Sequence, residues 1–232
     1  MRILLTNDDG VDGPGLAALA EAARSFGECV ILAPRDHHSG CSHKATTHEP
    51  LQLTRLGEGR YMVDGTPVDC VRIALAHWTE GFDLVLSGIN EGGNLGCDVF
   101  HSGTVAAVRE AAFLGTPGVA LSQFRRYGSN NWELAKQWAI AVLSDILELP
   151  LQPGVIWNVN FPDASDVRGE QPELVHCEVD DHPLPVLYRE EDGRLHYAGR
   201  YTERMRTPGH DVDVCFSGRI TLSRLPVRNL GV

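Results

Sequence analysis

The chain opens on a short apolar strand that ends in two adjacent carboxylates, and this constrains the fold more than any other feature. Arg2–Thr6 is rich in Ile and Leu with no polar alternation. That pattern marks a strand buried on both faces, as in a parallel sheet. Asn7-Asp8-Asp9-Gly10 ends it in a loop. A helix is expected next, with Asp12 as N-cap, Pro14 in the first turn, and Leu16, Leu19, Ala20 and Ala23 at helical spacing. Residues 29–33 read as the following strand, broken by Pro34. A strand–helix–strand unit of this kind requires parallel pairing, so the class is α/β.

The same alternation continues. Residues 35–49 lack periodicity and read as a long functional loop. Residues 51–55 and 60–64 flank Gly57-Glu58-Gly59 as a hairpin. Helices are expected at 68–78, at 105–114 (closed by Gly115 and Pro117), and at 132–147, where Leu134, Trp138, Val142 and Ile146 line one face. Strands are expected at 83–87, 119–122 and 156–161, with a glycine-rich loop from the first of these to Phe100. After Pro162 helical periodicity fades. Segments of β type follow at 173–179, 186–190, 195–201 and 219–225, with a hairpin turn at Asp192-Gly193. The expected organisation is a mostly parallel core over residues 1–162 and a β-rich appendage over 163–232. The appendage reads as a packing or dimerisation arm rather than an independent domain.

Charge narrows the function. The net charge of −11 disfavours a nucleic acid polymer or an anionic membrane as partner. A small phosphate would need a local positive centre, such as a metal ion or a helix N-terminus. The six cysteines form no CxxC pair and read as the reduced thiols of a cytoplasmic protein. The N-terminus lacks the apolar core of a signal peptide, and no stretch has the length of a membrane span.

In an open parallel sheet, ligands bind beyond the carboxyl ends of the strands. The first strand delivers Asn7, Asp8 and Asp9 there. The second leads into His37, His38, Ser39, Gly40 and Ser42. The strand at 83–87 leads into Ser87, Gly88, Asn90, Asn94 and Asp98. Small oxygen-bearing side chains from three loops suit a hard divalent cation such as Mg²⁺ or Mn²⁺. A turn with helix-capping charge is the plainer reading of Asp8-Asp9 and stays open. The loop from Ser87 to Gly96 contains neither GxGxxG nor GK[ST], which counts against dinucleotide and P-loop sites. His101-Ser102-Gly103-Thr104 leads into a helix, either as an ordinary cap or as a phosphate cradle at a positive helix end.

These blocks resemble the SurE family of stationary-phase survival nucleotidases. The resemblance is carried by Arg2 through Gly10, by Ala33-Pro34 with Ser39-Gly40, by Gly65-Thr66-Pro67 with Asp69-Cys70-Val71, by Ser87-Gly88-Ile89-Asn90 with Asn94-Leu95-Gly96 and Asp98-Val99, by Ser102-Gly103-Thr104-Val105, and by Asn158-Val159-Asn160 with Pro162. It implies a three-layer Rossmann-like fold and one divalent ion per subunit, Mg²⁺ or Mn²⁺. It implies hydrolysis of nucleoside 5′- and 3′-monophosphates, in some members of short polyphosphates too, and a homodimer or homotetramer. By position, the metal ligands would be Asp8, Asp9, Ser39 and Asn90, and the phosphate contacts Asn94, Ser102, Gly103 and Thr104. Asp8 or Asp9 would orient or deprotonate the attacking water, with His101 as an auxiliary group where many members carry Tyr.

Two rival readings accompany this one. Asp8 could be a covalent nucleophile forming an aspartyl-phosphate, but the second carboxylate such enzymes place two residues later is Gly10 here. A nucleotide- or metal-binding module without turnover would carry the same residues.

Overall fold

The computed structural model describes residues 1–126, 131–152, 154–169 and 171–227. Its first unit is β1 (Arg2–Thr6), α1 (Pro14–Ala23) and β2 (Glu28–Pro34). The hairpin is β3 (Leu53–Gly57) and β4 (Arg60–Val63), followed by α2 (Pro67–His77). Then come β5 (Leu84–Glu91), α3 (Gly103–Phe113), β6 (Gly118–Gln123), α4 (Trp132–Glu148) and β7 (Val155–Phe161). The C-terminal part adds β8 (Leu174–His176), β9 (Tyr188–Glu191), β10 (Arg194–Tyr197), α5 (Asp211–Phe216) and β11 (Ile220–Pro226).

Among the described residues the main sheet has nine strands in the order β3-β4-β2-β1-β5-β6-β7-β11-β8. Pairing is parallel from β4 through β7, while β3 and β11 run antiparallel to their neighbours β4 and β7. Successive side chains of a strand point to opposite faces, so each central strand feeds two cores. Ile3, Leu5, Leu86, Leu121 and Phe161 join Leu16 and Leu19 of α1 and Trp138 and Val142 of α4. Leu4, Val85, Ala120 and Ile156 join Val71 and Ala74 of α2 and Val105 and Val108 of α3. Helices cover both faces, giving a three-layer, Rossmann-like α/β fold.

The chain runs outward from β1 through β2 to β4, then returns to β5 on the other side of β1. The crevice between the carboxyl ends of β1 and β5 is therefore the topological switch point, where such sheets bind ligands.

Several local expectations are corrected. The N-cap of α1 is Gly13, without a side-chain cap bond, because Asp12 turns outward to Arg60 at 2.7 Å. The strand expected at 83–87 continues as β5 to Glu91, past a register shift between Ser87 and Asn90. Helix α5 was not legible in the sequence. Within residues 163–232, β8 and β11 enter the main sheet beside β7, whereas β9 and β10 form a separate exposed hairpin across Asp192-Gly193.

Candidate functional site

β1 ends on Thr6, and Asn7 closes the turn beyond it by donating from Nδ2 to the Gly10 carbonyl at 2.9 Å. This turn sets Asp8 and Asp9 at the head of the switch-point crevice. Asp8 is only 3% exposed. Its Oδ1 accepts from Thr104 Oγ1 at 2.5 Å, and its main-chain carbonyl accepts from the His38 amide at 2.7 Å. Asp9 Oδ2 accepts from the Glu91 amide at 3.2 Å, and His37 Nδ1 lies 3.5 Å from its Oδ1.

Among the described residues no lysine or arginine pairs with either carboxylate. Burial pushes the Asp8 carboxyl up to about 6, against the Thr104 bond and with added repulsion from Asp9. Burial also raises Asp9, against the Glu91 amide and His37. Two adjacent carboxylates, one buried and one half-buried, with no lysine or arginine beside them are costly unless a cation is supplied from outside.

Asn90 stands near the end of β5, next to β1. Its Nδ2 donates to the Gly92 carbonyl at 2.8 Å, which fixes the amide plane and leaves Oδ1 outside that bond. Ser39 lies exposed in the turn where the Cys41 amide reaches the His38 carbonyl at 3.1 Å. It is brought to this edge by its neighbour's bond to Asp8. The loop is also fastened to the residues before α3. The Ser42 amide donates to His101 O at 3.1 Å, and Ser42 Oγ donates to Phe100 O at 2.7 Å.

α3 starts against the same crevice. Ser102 Oγ caps it by accepting from the Val105 amide at 3.0 Å. A Cβ at Gly103 would lie 2.9 Å from Asp8 Oδ2 and 2.9 Å from Cys41 Sγ, so only glycine lets the helix end approach the carboxylate this closely. The Thr104 hydroxyl, fully buried, is committed to Asp8. Asn94 is buried and donates from Nδ2 to Ser122 Oγ at 2.7 Å. His101 is exposed at the rim.

Strand polarity in the sequence puts these residues on one edge, whereas the Thr104–Asp8 bond and the packing of Cys41 against Gly103 join residues far apart in the chain. The interleaved SGTV and DDG blocks were the available signal for the first. His43 faces away from the crevice, with Nε2 2.8 Å from Glu110.

A second acidic group offers ligand atoms within 4.8 Å of one another, namely Asp180, Asp181 and His182. Its buried member is already saturated. Asp180 Oδ1 accepts from the His182 amide at 2.9 Å and faces His182 Nδ1 at 2.8 Å, and Oδ2 accepts from the Thr207 amide at 2.5 Å. Burial opposes it, yet these bonds hold Asp180 below the ordinary carboxylate range. The switch-point crevice is the better fit for a hard cation. It collects oxygen donors, leaves its carboxylates without a lysine or arginine partner among the described residues, and lies beside a helix N-terminus.

The chain is similar to known proteins along nearly its whole length. The family model described as Survival protein SurE matches residues 3–179. A relative in Nostoc sp. is 51% identical over 229 residues, spanning 98% of this chain and 100% of the relative. The protein named 5′-nucleotidase SurE from Methylobacterium nodulans is 37% identical, spanning 98% of this chain and 93% of its own. The crystal structure of the SurE protein from Aquifex aeolicus superposes with a TM-score of 0.85 at 31% identity, covering 100% of this chain and 95% of that one.

Proposed function

As a member of the SurE family, the chain is, we propose, a divalent-metal-dependent phosphomonoesterase that hydrolyses nucleoside 5′- and 3′-monophosphates to nucleoside and phosphate. The observation that carries this reading is the Asp8–Asp9 pair, with Asp8 buried and Asp9 half-buried. Neither carboxylate has a lysine or arginine partner among the described residues, Asp9 meets only the His37 imidazole, and Asp8 faces the N-terminus of α3.

Asp8, Asp9, Ser39 and Asn90 would hold one Mg²⁺ or Mn²⁺. The fit rests on the oxygen donor set and on the charge left uncompensated at Asp8. Such an ion, when bound, supplies positive charge that polarises the phosphoryl group and acidifies water. The remaining work falls to side chains and amides. Thr104 locks Asp8 through Oδ1, which leaves Oδ2 turned toward Gly103 and the crevice. The α3 amides at Gly103 and Thr104, with the Ser102 hydroxyl, bind phosphoryl oxygens at the positive helix end. Asn94 adds a donor. One of its two amide hydrogens goes to Ser122, and the other is left for phosphate. Asp9 orients the attacking water and takes its proton. His101, at the rim, assists the leaving oxygen.

The proposal extends to assembly as a homodimer or homotetramer, with residues 163–232 as the arm. Leu187, Tyr188, Leu195 and Tyr197 stand exposed on the β9–β10 hairpin, where a second copy would cover them. None of the described helices is long and apolar enough to cross a membrane. Cytoplasmic residence belongs to the same proposal.

Phosphate release from a nucleoside 5′-monophosphate, measured with Mn²⁺ and with EDTA, tests the function. Turnover that requires Mn²⁺ and disappears in Asp8→Asn supports it. Tight nucleotide binding without phosphate release would make the chain a binding module instead. Acid-stable radiolabel trapped on Asp8 would replace the water attack with an aspartyl-phosphate route.

A further inference from the structure

Asn158-Val159-Asn160 sits on β7, beyond β6 from the crevice strand β5, and takes no part in the steps above. Val159 joins the α1–α4 core, so by alternation Asn158 and Asn160 point to the other face. Both are fully buried there. Their side chains converge on one residue of the glycine-rich loop. The Asn94 amide donates to Asn160 Oδ1 at 2.7 Å. The Asn94 carbonyl accepts from Asn158 Nδ2 at 2.9 Å and from Asn160 Nδ2 at 3.2 Å. Both polar groups of the Asn94 main chain are thus held by side chains of a distant strand.

The loop needs such support. Gly92, Gly93 and Gly96 flank Asn94 and bring no side chain of their own to order it. Asn158 is an expensive residue to bury for packing alone, because its Oδ1 has no partner among the described residues. An apolar side chain of similar size would avoid that cost. Its value lies in the Nδ2 bond to Asn94.

We propose that Asn158 and Asn160 are positioning residues, which hold the Asn94 peptide so that its second amide hydrogen faces the phosphoryl group. This deepens the functional reading above and rests on it. The two remain separable because Asn90 and the aspartates sit on other elements.

The test measures binding of inorganic phosphate to the Mn²⁺-loaded full chain, alongside Mn²⁺ affinity and Tm. Asn160→Ala, which removes two bonds, is expected to weaken phosphate binding by about tenfold or more, and Asn158→Ala by about fivefold. Mn²⁺ affinity should stay within about twofold in both. Should Asn160→Ala fail to fold, Asn158→Ala decides, since Asn160 still serves the Asn94 carbonyl. Unchanged phosphate affinity, or a parallel loss of Mn²⁺ and phosphate binding, overturns the inference. Wild-type protein that binds no phosphate overturns the functional reading itself.

Discussion

Two regions of this molecule bury carboxylates, and they treat them in opposite ways. At the end of β1, Asp8 and Asp9 share one Thr hydroxyl, one amide and the His37 imidazole, with no lysine or arginine paired to them among the described residues. Around the C-terminal segment, among the described residues, the carboxylates of Asp98, Asp180 and Asp211, buried or half-buried, are closed. Asp98 Oδ2 accepts from Tyr201 at 2.5 Å and from Arg204 Nη1 at 2.8 Å. Asp211 accepts from the Gly96, Asp180 and Val212 amides, each at 2.8 Å. Asp180 is saturated by His182 and Thr207. The closed group fastens residues 180–212 to the segment 95–98 that leads into α3. A buried charge answered inside the fold is a fastener, while one left open is a capacity to bind.

The largest expected effect separates the two regions by activity. On the proposed function, Asp8→Asn should lower kcat by about 10³-fold or more, since the ion would lose a ligand. The same change should raise the Tm of metal-free protein, because an unanswered buried charge is removed. Asp180→Asn should do the reverse, lowering Tm and leaving turnover in place. Steady-state kinetics and calorimetry on both variants check the pair.

Next in size is the fastener. Arg204→Met leaves the half-buried Asp98 without its cation, and the Arg204 side chain is fully buried. Breaking such a pair from one side costs about 3–5 kcal/mol, read from urea midpoints. Mn²⁺ affinity should not change.

Much of this contrast was legible in the sequence, though unevenly. Apolar strands ending in Asp8-Asp9 and Asn90 announced the sheet, its polarity and the edge where a ligand sits. The Arg204–Asp98 pair, the α5 helix and the entry of β11 beside β7 were not legible. They depend on contacts between residues far apart in the chain, and such contacts leave no local period. Asp12 shows the same limit in miniature. It has the chemistry of an N-cap, but Arg60, distant in sequence, draws it outward and leaves Gly13 at the helix start. Within the site, the three loop ends were readable from strand polarity alone. The support beneath them was not, because Asn158 and Asn160 look like ordinary strand residues until the fold brings Asn94 to them.

The third effect is a pH dependence with opposite signs in the two regions. Asp8 rises from an ordinary 3.8 to about 6 in the folded metal-free chain. The folded state then holds more protons than the unfolded one between those values. Stability should therefore fall as pH rises from about 4 to about 6, by at most about 3 kcal/mol. Asp180 lies below its ordinary value when folded. Its contribution is present above the unfolded value and is lost as pH falls through the folded one. Subtracting the stability curves of Asp8→Asn and Asp180→Asn from wild type isolates each slope. Saturating Mn²⁺ should abolish the Asp8 slope.

The smallest effect is at the surface. Asp12 and Arg60 approach to 2.7 Å, but the Asp12 side chain is 88% exposed. Asp12→Ala should cost less than about 1 kcal/mol, in contrast to the buried fastener.

Calorimetric titration of Mn²⁺ into metal-free wild type, Asp8→Asn and Asp180→Asn decides between the open and the closed region most directly. One ion per chain is expected in wild type and in Asp180→Asn, with binding lost in Asp8→Asn. Binding that survives in Asp8→Asn and vanishes in Asp180→Asn would contradict the account.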